Sequence, residues 1–189
     1  MKSLLIAIKP KWCALMMNGD KTVEVRTSKT LATAIQKLID EYGYADIYVY
    51  CSKDGGNLVY GTEYRGGNFV DEYGITRGYS KQKANEIFGL LNSKVLFKFR
   101  CYKVEEYPYI SGEYDKLIGS CLSEKELLDY STIKFENGIR FVKTIYAIHI
   151  SNLEIFDKPK ELSEFSNCDK YPYTKYIGKA PQNFCYVEV

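Results

Sequence analysis

A lysine, a glutamate and an arginine stand close together near the start of the chain, in the stretch "NGDKTVEVR" from Asn18 to Arg26. An ammonium, a carboxylate and a guanidinium on one concave surface can grip a phosphate and the edge of a base together. A carboxylate at Glu24 can also act as a base that activates water. On an open strand the same residues make an ordinary solvated face, with Glu24 and Arg26 paired to cross-strand neighbours. The elements that carry Lys21, Glu24 and Arg26 decide between these readings.

Residues 3–8, "SLLIAI", read as a buried strand. Pro10 then sits where a helix begins, because its missing N–H costs nothing there, and the helix runs through Trp12, Cys13, Leu15, Met16 and Met17 to about Asn18. Gly19 follows as the left-handed cap. In "KTVEVR" Val23 and Val25 point one way and Thr22, Glu24 and Arg26 the other, with Lys21 at the turn. Apolar residues at helical spacing predict a helix over 31–42, ended by Gly43, and "DIYVYC" predicts the next strand.

Residues 54–80 are dense in Gly, Tyr and Asn and read as a long loop with room for a hairpin; a helix over 81–92 follows, so 54–92 is an insertion. In "KVLFKFRCYKV" the alternation turns Val95, Phe97, Phe99 and Cys101 inward and Lys98, Arg100 and Tyr102 outward, a basic stripe. Ser123 and Glu126 have capping-box spacing and open another short helix. Strands near 139–142 and 144–150 and a closing strand in "FCYVEV" complete the order. The class is mixed α+β, with short strands in a small, partly closed barrel rather than a βαβ sheet.

A chain of 189 residues fits one domain with insertions. Lys plus Arg exceed Asp plus Glu by only 26 − 24 = 2, so any basic patch is local. The apolar run Leu4–Ile8 is too short for a signal peptide or a membrane span, which predicts a cytoplasmic protein without membrane attachment. The 6 cysteines lack any C-x-x-C pair, so neither a metal site nor a disulfide is expected and the thiols serve as small buried hydrophobes. His149, the single histidine, shares a strand face with Ile145 and Ala147 and is expected to be a satisfied buried imidazole. Tyrosine, at 18 residues, suits half-buried strands and also stacking platforms for bases; in the 54–80 loop Tyr60, Tyr64, Arg65, Tyr73, Arg77 and Tyr79 can interleave along an RNA strand.

"IKPKWCALMMNGDKTVEVR" resembles the N-terminal signature of the ASCH family, a strand, "KP", a short helix and G-x-K-x-x-E-x-R, here Gly19, Lys21, Glu24 and Arg26 behind Lys9 and Pro10. "IYVYCSK", "SCLSEKELLDY", "YAIHISNLEIFDKPKELSEF" and "APQNFCYVEV" extend the resemblance to a longer, phage-associated branch of that family. Ser93 in "NSKV" departs from it, since a glycine is expected there. The resemblance implies a PUA-like β-barrel of about six strands with a cleft that binds RNA or a modified nucleotide. Its ligand-binding residues would be Lys9, Trp12, Gly19, Lys21, Thr22, Glu24, Arg26, Lys98, Arg100 and Gln182, with RNA or a nucleotide-like small molecule as partner and no cofactor.

An alternative from the same resemblance is a small hydrolase, an amidohydrolase on N4-acylated cytidine or a ribonuclease, with Lys21 and Glu24 catalytic. In the amidohydrolase relatives a threonine nucleophile stands where this chain has Glu24, which places binding ahead of catalysis. The oligomeric state is left open.

Overall fold

In the computed structural model of the chain, the described residues are 2–54, 56–59, 75–76, 90–108, 114–136, 139–168 and 176–188. They divide into two compact units, the first built from Met1–Asn18, Asp46–Phe99 and Leu153–Val189, the second from Gly19–Ala45 and Arg100–Asn152.

The first unit centres on strand β1 (Ser3–Ile8), whose uninterrupted apolar run is buried almost throughout. β1 pairs in parallel with β3 (Ala45–Cys51), Leu4 opposite Ile47, and antiparallel with β13 (Phe184–Glu188), Leu4 opposite Tyr186. A parallel pair needs a long connection, and here it runs through helix α1 (Pro10–Met17), strand β2 (Val23–Arg26) and helix α2 (Lys29–Tyr42). The sheet has six strands in the order β11-β6-β3-β1-β13-β12, where β6 is Val95–Cys101, β11 Ser151–Lys160 and β12 Ser166–Asn167; β4 (Asn57–Leu58) and β5 (Ile75–Thr76) form a separate short pair. Leu5, Tyr48, Val95, Phe165 and Val187 pack as one core cluster, with the Tyr48 ring edge-on to Phe165 at 5.0 Å between centroids.

In the second unit a three-stranded sheet has the order β2-β10-β7, with β7 at Val104–Tyr107 and β10 at Ile145–His149. Val23, Val25, Tyr107, Leu117, Leu127, Ile145 and Ala147 form its core cluster. Helix α2 begins at Ser28, whose hydroxyl accepts from Leu31 N at 3.3 Å, and ends at Gly43 with φ +83°. Helix α3 (Glu124–Ser131) has the expected capping box, Glu126 N to Ser123 Oγ and Ser123 N to Glu126 Oε2. A 3-10 helix (Tyr114–Ser120) precedes α3, and β8 (Thr132–Glu136) pairs with β9 (Ile139–Val142) after it.

The α+β class and the predominance of strands agree with the sequence reading. Among the described residues the strands form separate sheets, and no pairing closes either of the larger two into the expected partly closed barrel. Most of the helix expected over 81–92 lies outside the described residues; Leu90 is bridged to Val59 and Asn92 is in a turn, so the helix does not reach its expected end. The tyrosines and arginines of the 54–80 loop also lie outside the described residues. Only Cys13, Cys51 and Cys101 are buried; Cys121, Cys168 and Cys185 are half-buried.

Ser93 occupies a left-handed conformation, φ +69°, which explains why a glycine belongs there. Its N–H donates to Cys51 O at 2.8 Å, fixing the turn to the end of β3, while its buried hydroxyl has no hydrogen-bond partner among the described residues. Beside it, buried Asn92 accepts from Leu58 N and donates to the carbonyls of Ser52 and Gly56, so the turn cannot relax freely. Ser93→Gly removes both the backbone strain and the unpartnered hydroxyl, against the added freedom of an unfolded glycine. We expect a net gain of about 1 kcal/mol, roughly 2–4 °C in Tm by calorimetry. An unchanged or lowered Tm would show that the turn is unstrained.

Candidate functional site

Gly19, at φ +84°, has open space where a Cβ would stand, so its backbone conformation alone calls for glycine. Past this turn the chain runs into β2. Thr22 N donates to Gly119 O at 2.8 Å, and Ile150 N donates to Thr22 O at 2.9 Å. The 3-10 helix lies so close to β2 that a Cβ on Gly119 would meet Thr22 Oγ1 at 2.4 Å.

Lys21 lies inside this contact. Its ammonium donates to Val23 O at 2.8 Å and to Ser120 O at 2.7 Å, and stands 3.4 Å from Glu24 Oε2. Two N–H groups thus meet backbone carbonyls, and the carboxylate lies within ion-pair distance. The other carboxylate oxygen, Glu24 Oε1, is 2.8 Å from Arg26 Nε; the N–H is not aimed along that line, so the contact is an ion pair rather than a linear hydrogen bond. The side chains are 2% exposed at Lys21, 9% at Glu24 and 19% at Arg26, so a ligand approaching from solvent reaches the arginine first. A buried charge is tolerated only with partners, and here each member of the row supplies one to the next.

The strand register sorts the surrounding residues. Glu24 lies opposite Ile148, itself opposite Val104; Arg26 lies opposite Tyr146, itself opposite Glu106. Val23 and Val25 are in the core cluster, as the alternation predicts. Burial, then the nearby Glu106 charge, raises the Tyr146 phenol above its ordinary range. Both Glu24 oxygens face cations.

Lys21, Glu24 and Arg26 are thus joined by direct contacts, with Gly19 and Thr22 as their neighbours in the second unit. Arg100 belongs to the same unit, where its guanidinium stands 4.3 Å from the Tyr44 ring centroid. Lys9, Trp12, Lys98 and Gln182 belong to the first unit. There, Lys9 O accepts from Trp12 N and Cys13 N at the start of α1, the Lys11 ammonium is 4.8 Å from the Trp12 ring centroid, and Gln182 is exposed just before β13. Lys98 pairs with Glu154 at 3.0 Å, and that hydrogen bond is the main cause raising its pKa. Its neighbours along the basic stripe therefore differ: one cation meets a carboxylate, the other a ring.

His149 is half-exposed at the end of β10 rather than buried, and its Nε2 meets Glu105 Oε2 at 2.5 Å. Lys103 takes the other oxygen of Glu105 at 2.7 Å, and these partners, Lys103 foremost, hold the carboxyl below its usual range. Burial pushes the Cys101 thiol up to about 11, so it is not a thiolate nucleophile at neutral pH. Sequence reasoning missed Gly119 and Ser120, because the carbonyl that receives Lys21 lies 99 positions along the chain and carries no side-chain signature.

Removing the ammonium strands the Glu24 carboxylate and two carbonyls in a buried place. Lys21→Met should therefore cost about 3–5 kcal/mol in urea unfolding, and Lys21→Met combined with Glu24→Gln should be less destabilised than the sum of the two single changes by about 1–3 kcal/mol. Simple additivity would mean that the pair is not coupled.

No protein-family model matches the chain, and no curated protein does. Solved structures of an ASCH protein from Zymomonas mobilis do resemble it. A serine-to-alanine variant aligns with a TM-score of 0.54 at 14% identity, covering 98% of this chain and 88% of that one. The ASCH structure without a stated substitution gives 0.51 at 13% identity, with 98% and 87% covered. A tyrosine-to-phenylalanine variant gives 0.55 at 14% identity, with 100% and 91% covered. At such low identity the likeness concerns the fold, and on that ground the chain has the ASCH fold.

Proposed function

We propose that the protein binds RNA or a nucleotide-like small molecule, with Glu24 and Arg26 as contacts and Lys21 as the residue that holds them in place. The observation that carries this reading is the fixed row of Lys21, Glu24 and Arg26, in which Arg26 is the most exposed member. A guanidinium oriented in advance by a buried carboxylate binds an anion with less ordering of its own side chain. The ASCH fold and the G-x-K-x-x-E-x-R resemblance point to the same ligand class. Gly19 and Thr22 shape the turn beside the row, and Arg100, Lys9, Trp12, Lys98 and Gln182 are further contacts to be tested one by one. We also treat residues 1–189 as one PUA-like, cytoplasmic domain carrying an insertion at 54–92.

The engagement of the Lys21 ammonium inside the protein favours binding over the hydrolase alternative, since an ammonium has no lone pair to offer as a general base. Two measurements on the same purified variants separate the readings. With fluorescently labelled, unstructured RNA, Arg26→Ala should weaken binding about 5- to 100-fold and flatten the salt dependence by about one phosphate contact, with circular dichroism checking the fold. N4-acetylcytidine and the RNA should both be recovered intact by chromatography after incubation with the wild-type chain. Product formed by the wild type and abolished in Glu24→Gln would make hydrolysis the leading function. Unchanged RNA affinity in Arg26→Ala would remove the row from the binding surface.

A further inference from the structure

Away from the charged row, the second unit holds an aromatic ring in the open. Tyr102, in the connection between β6 and β7, is 47% exposed. A tyrosine so exposed ordinarily samples several rotamers, but this one is held from two sides. Its ring packs against Tyr44 at 6.0 Å between centroids with the planes tilted by 53°, and its hydroxyl accepts from Asn152 Nδ2 at 3.2 Å.

The supports of Tyr102 are themselves fixed by the backbone. Gly43 ends α2 at φ +83° with nothing near its Cβ position, so the sharp turn that delivers Tyr44 depends on glycine's conformational freedom alone. The Arg100 guanidinium lies 4.3 Å from the Tyr44 ring centroid, within cation–π range. Asn152 adopts φ +47°, a left-handed conformation that asparagine tolerates better than most residues. Next along the chain from Tyr102, the Lys103 side chain is 61% exposed, although its ammonium pairs with Glu105, which also meets His149.

We propose that Tyr102 is a stacking platform for one unpaired nucleobase of a single-stranded RNA, with Lys103 placed to meet the adjoining phosphate. A ring held rigid but exposed loses little freedom when a base lies on it, and cations beside it favour an anionic partner over a neutral aromatic one. The platform rests on the RNA reading given above but uses none of the residues of the Lys21–Glu24–Arg26 row, so the two fail separately.

The test uses the full chain and two fluorescein-labelled strands roughly 12 nucleotides long, an oligouridylate and an abasic ribose-phosphate strand of the same length, followed by anisotropy at low salt. Wild type should bind the uridylate more tightly than the abasic strand. Tyr102→Ala should lose about 5- to 100-fold on the uridylate and leave the abasic strand unaffected, whereas Tyr102→Phe, which keeps the ring and gives up only the Asn152 hydrogen bond, should stay within about threefold of wild type. Equal uridylate affinity in Tyr102→Ala and wild type overturns the platform and leaves the RNA reading standing. An equal loss on both strands marks structural damage and likewise overturns it. If the wild type binds neither strand, the RNA reading falls and the platform with it.

Discussion

The buried ammonium of Lys21 is the interaction on which the arrangement of the second unit turns. It joins three things that the chain otherwise keeps apart: the carbonyl of Val23 at the start of β2, the carbonyl of Ser120 at the end of the 3-10 helix, and the carboxylate of Glu24. A lysine in such a place is stable only because carbonyls and a carboxylate surround its ammonium. Gly119 allows the close approach that brings the Ser120 carbonyl within reach. Glu24 is then held between two cations, and Arg26 owes its orientation to a carboxylate that cannot swing away. A charged motif that looks like a set of ligand contacts is, at its lysine, an internal clamp.

The unit uses charge in a second way around Glu105. There the carboxylate also receives two partners, Lys103 and His149, but all three side chains remain partly exposed. Screening by water weakens such pairs, so this cluster orders a surface rather than a core. Both carboxylates are the second residue of a four-residue outer strand of the same three-stranded sheet, but the 3-10 helix packs on the strand of Glu24, whose side chain is 9% exposed, while that of Glu105 is 29% exposed. Burial, more than residue type, decides whether a Lys–Glu pair is part of the framework.

Local signals in the sequence were legible where the physics is local. Pro10 and Gly19 bracket α1, Gly43 ends α2, and the Ser123–Glu126 box opens α3, because caps act within one helical turn, whereas α2 starts at Lys29 behind its Ser28 cap, two residues before the expected 31. The alternation in "VEVR" placed Val23 and Val25 in the core. Strand β11 was not legible: Asp157, Lys158 and Pro159 break any apolar pattern, as suits a strand at the edge of the six-stranded sheet. His149 was read as buried from its face-mates, yet the end of a strand escapes the rule that governs its middle. Of the candidate site, the row from Lys21 to Arg26 was visible in the residues, whereas the Ser120 carbonyl, the Glu105–His149 pair and the Tyr44–Tyr102 contact come from tertiary pairing that no short stretch records.

The route of the chain between its two units has a consequence for any attempt to take the protein apart. The boundaries fall after Asn18, Ala45, Phe99 and Asn152, so the polypeptide changes unit four times, three of those changes inside strands β3, β6 and β11. Neither unit corresponds to a continuous segment. In a nested series of truncations, the usual way to map an activity to a region, any cut that reaches past Asn18 from the start or past Leu153 from the end removes parts of both units at once, and loss of binding there reports unfolding rather than location. Single side-chain replacements are the informative dissection for a chain woven in this manner, and the gene offers no place where one cut releases an intact half.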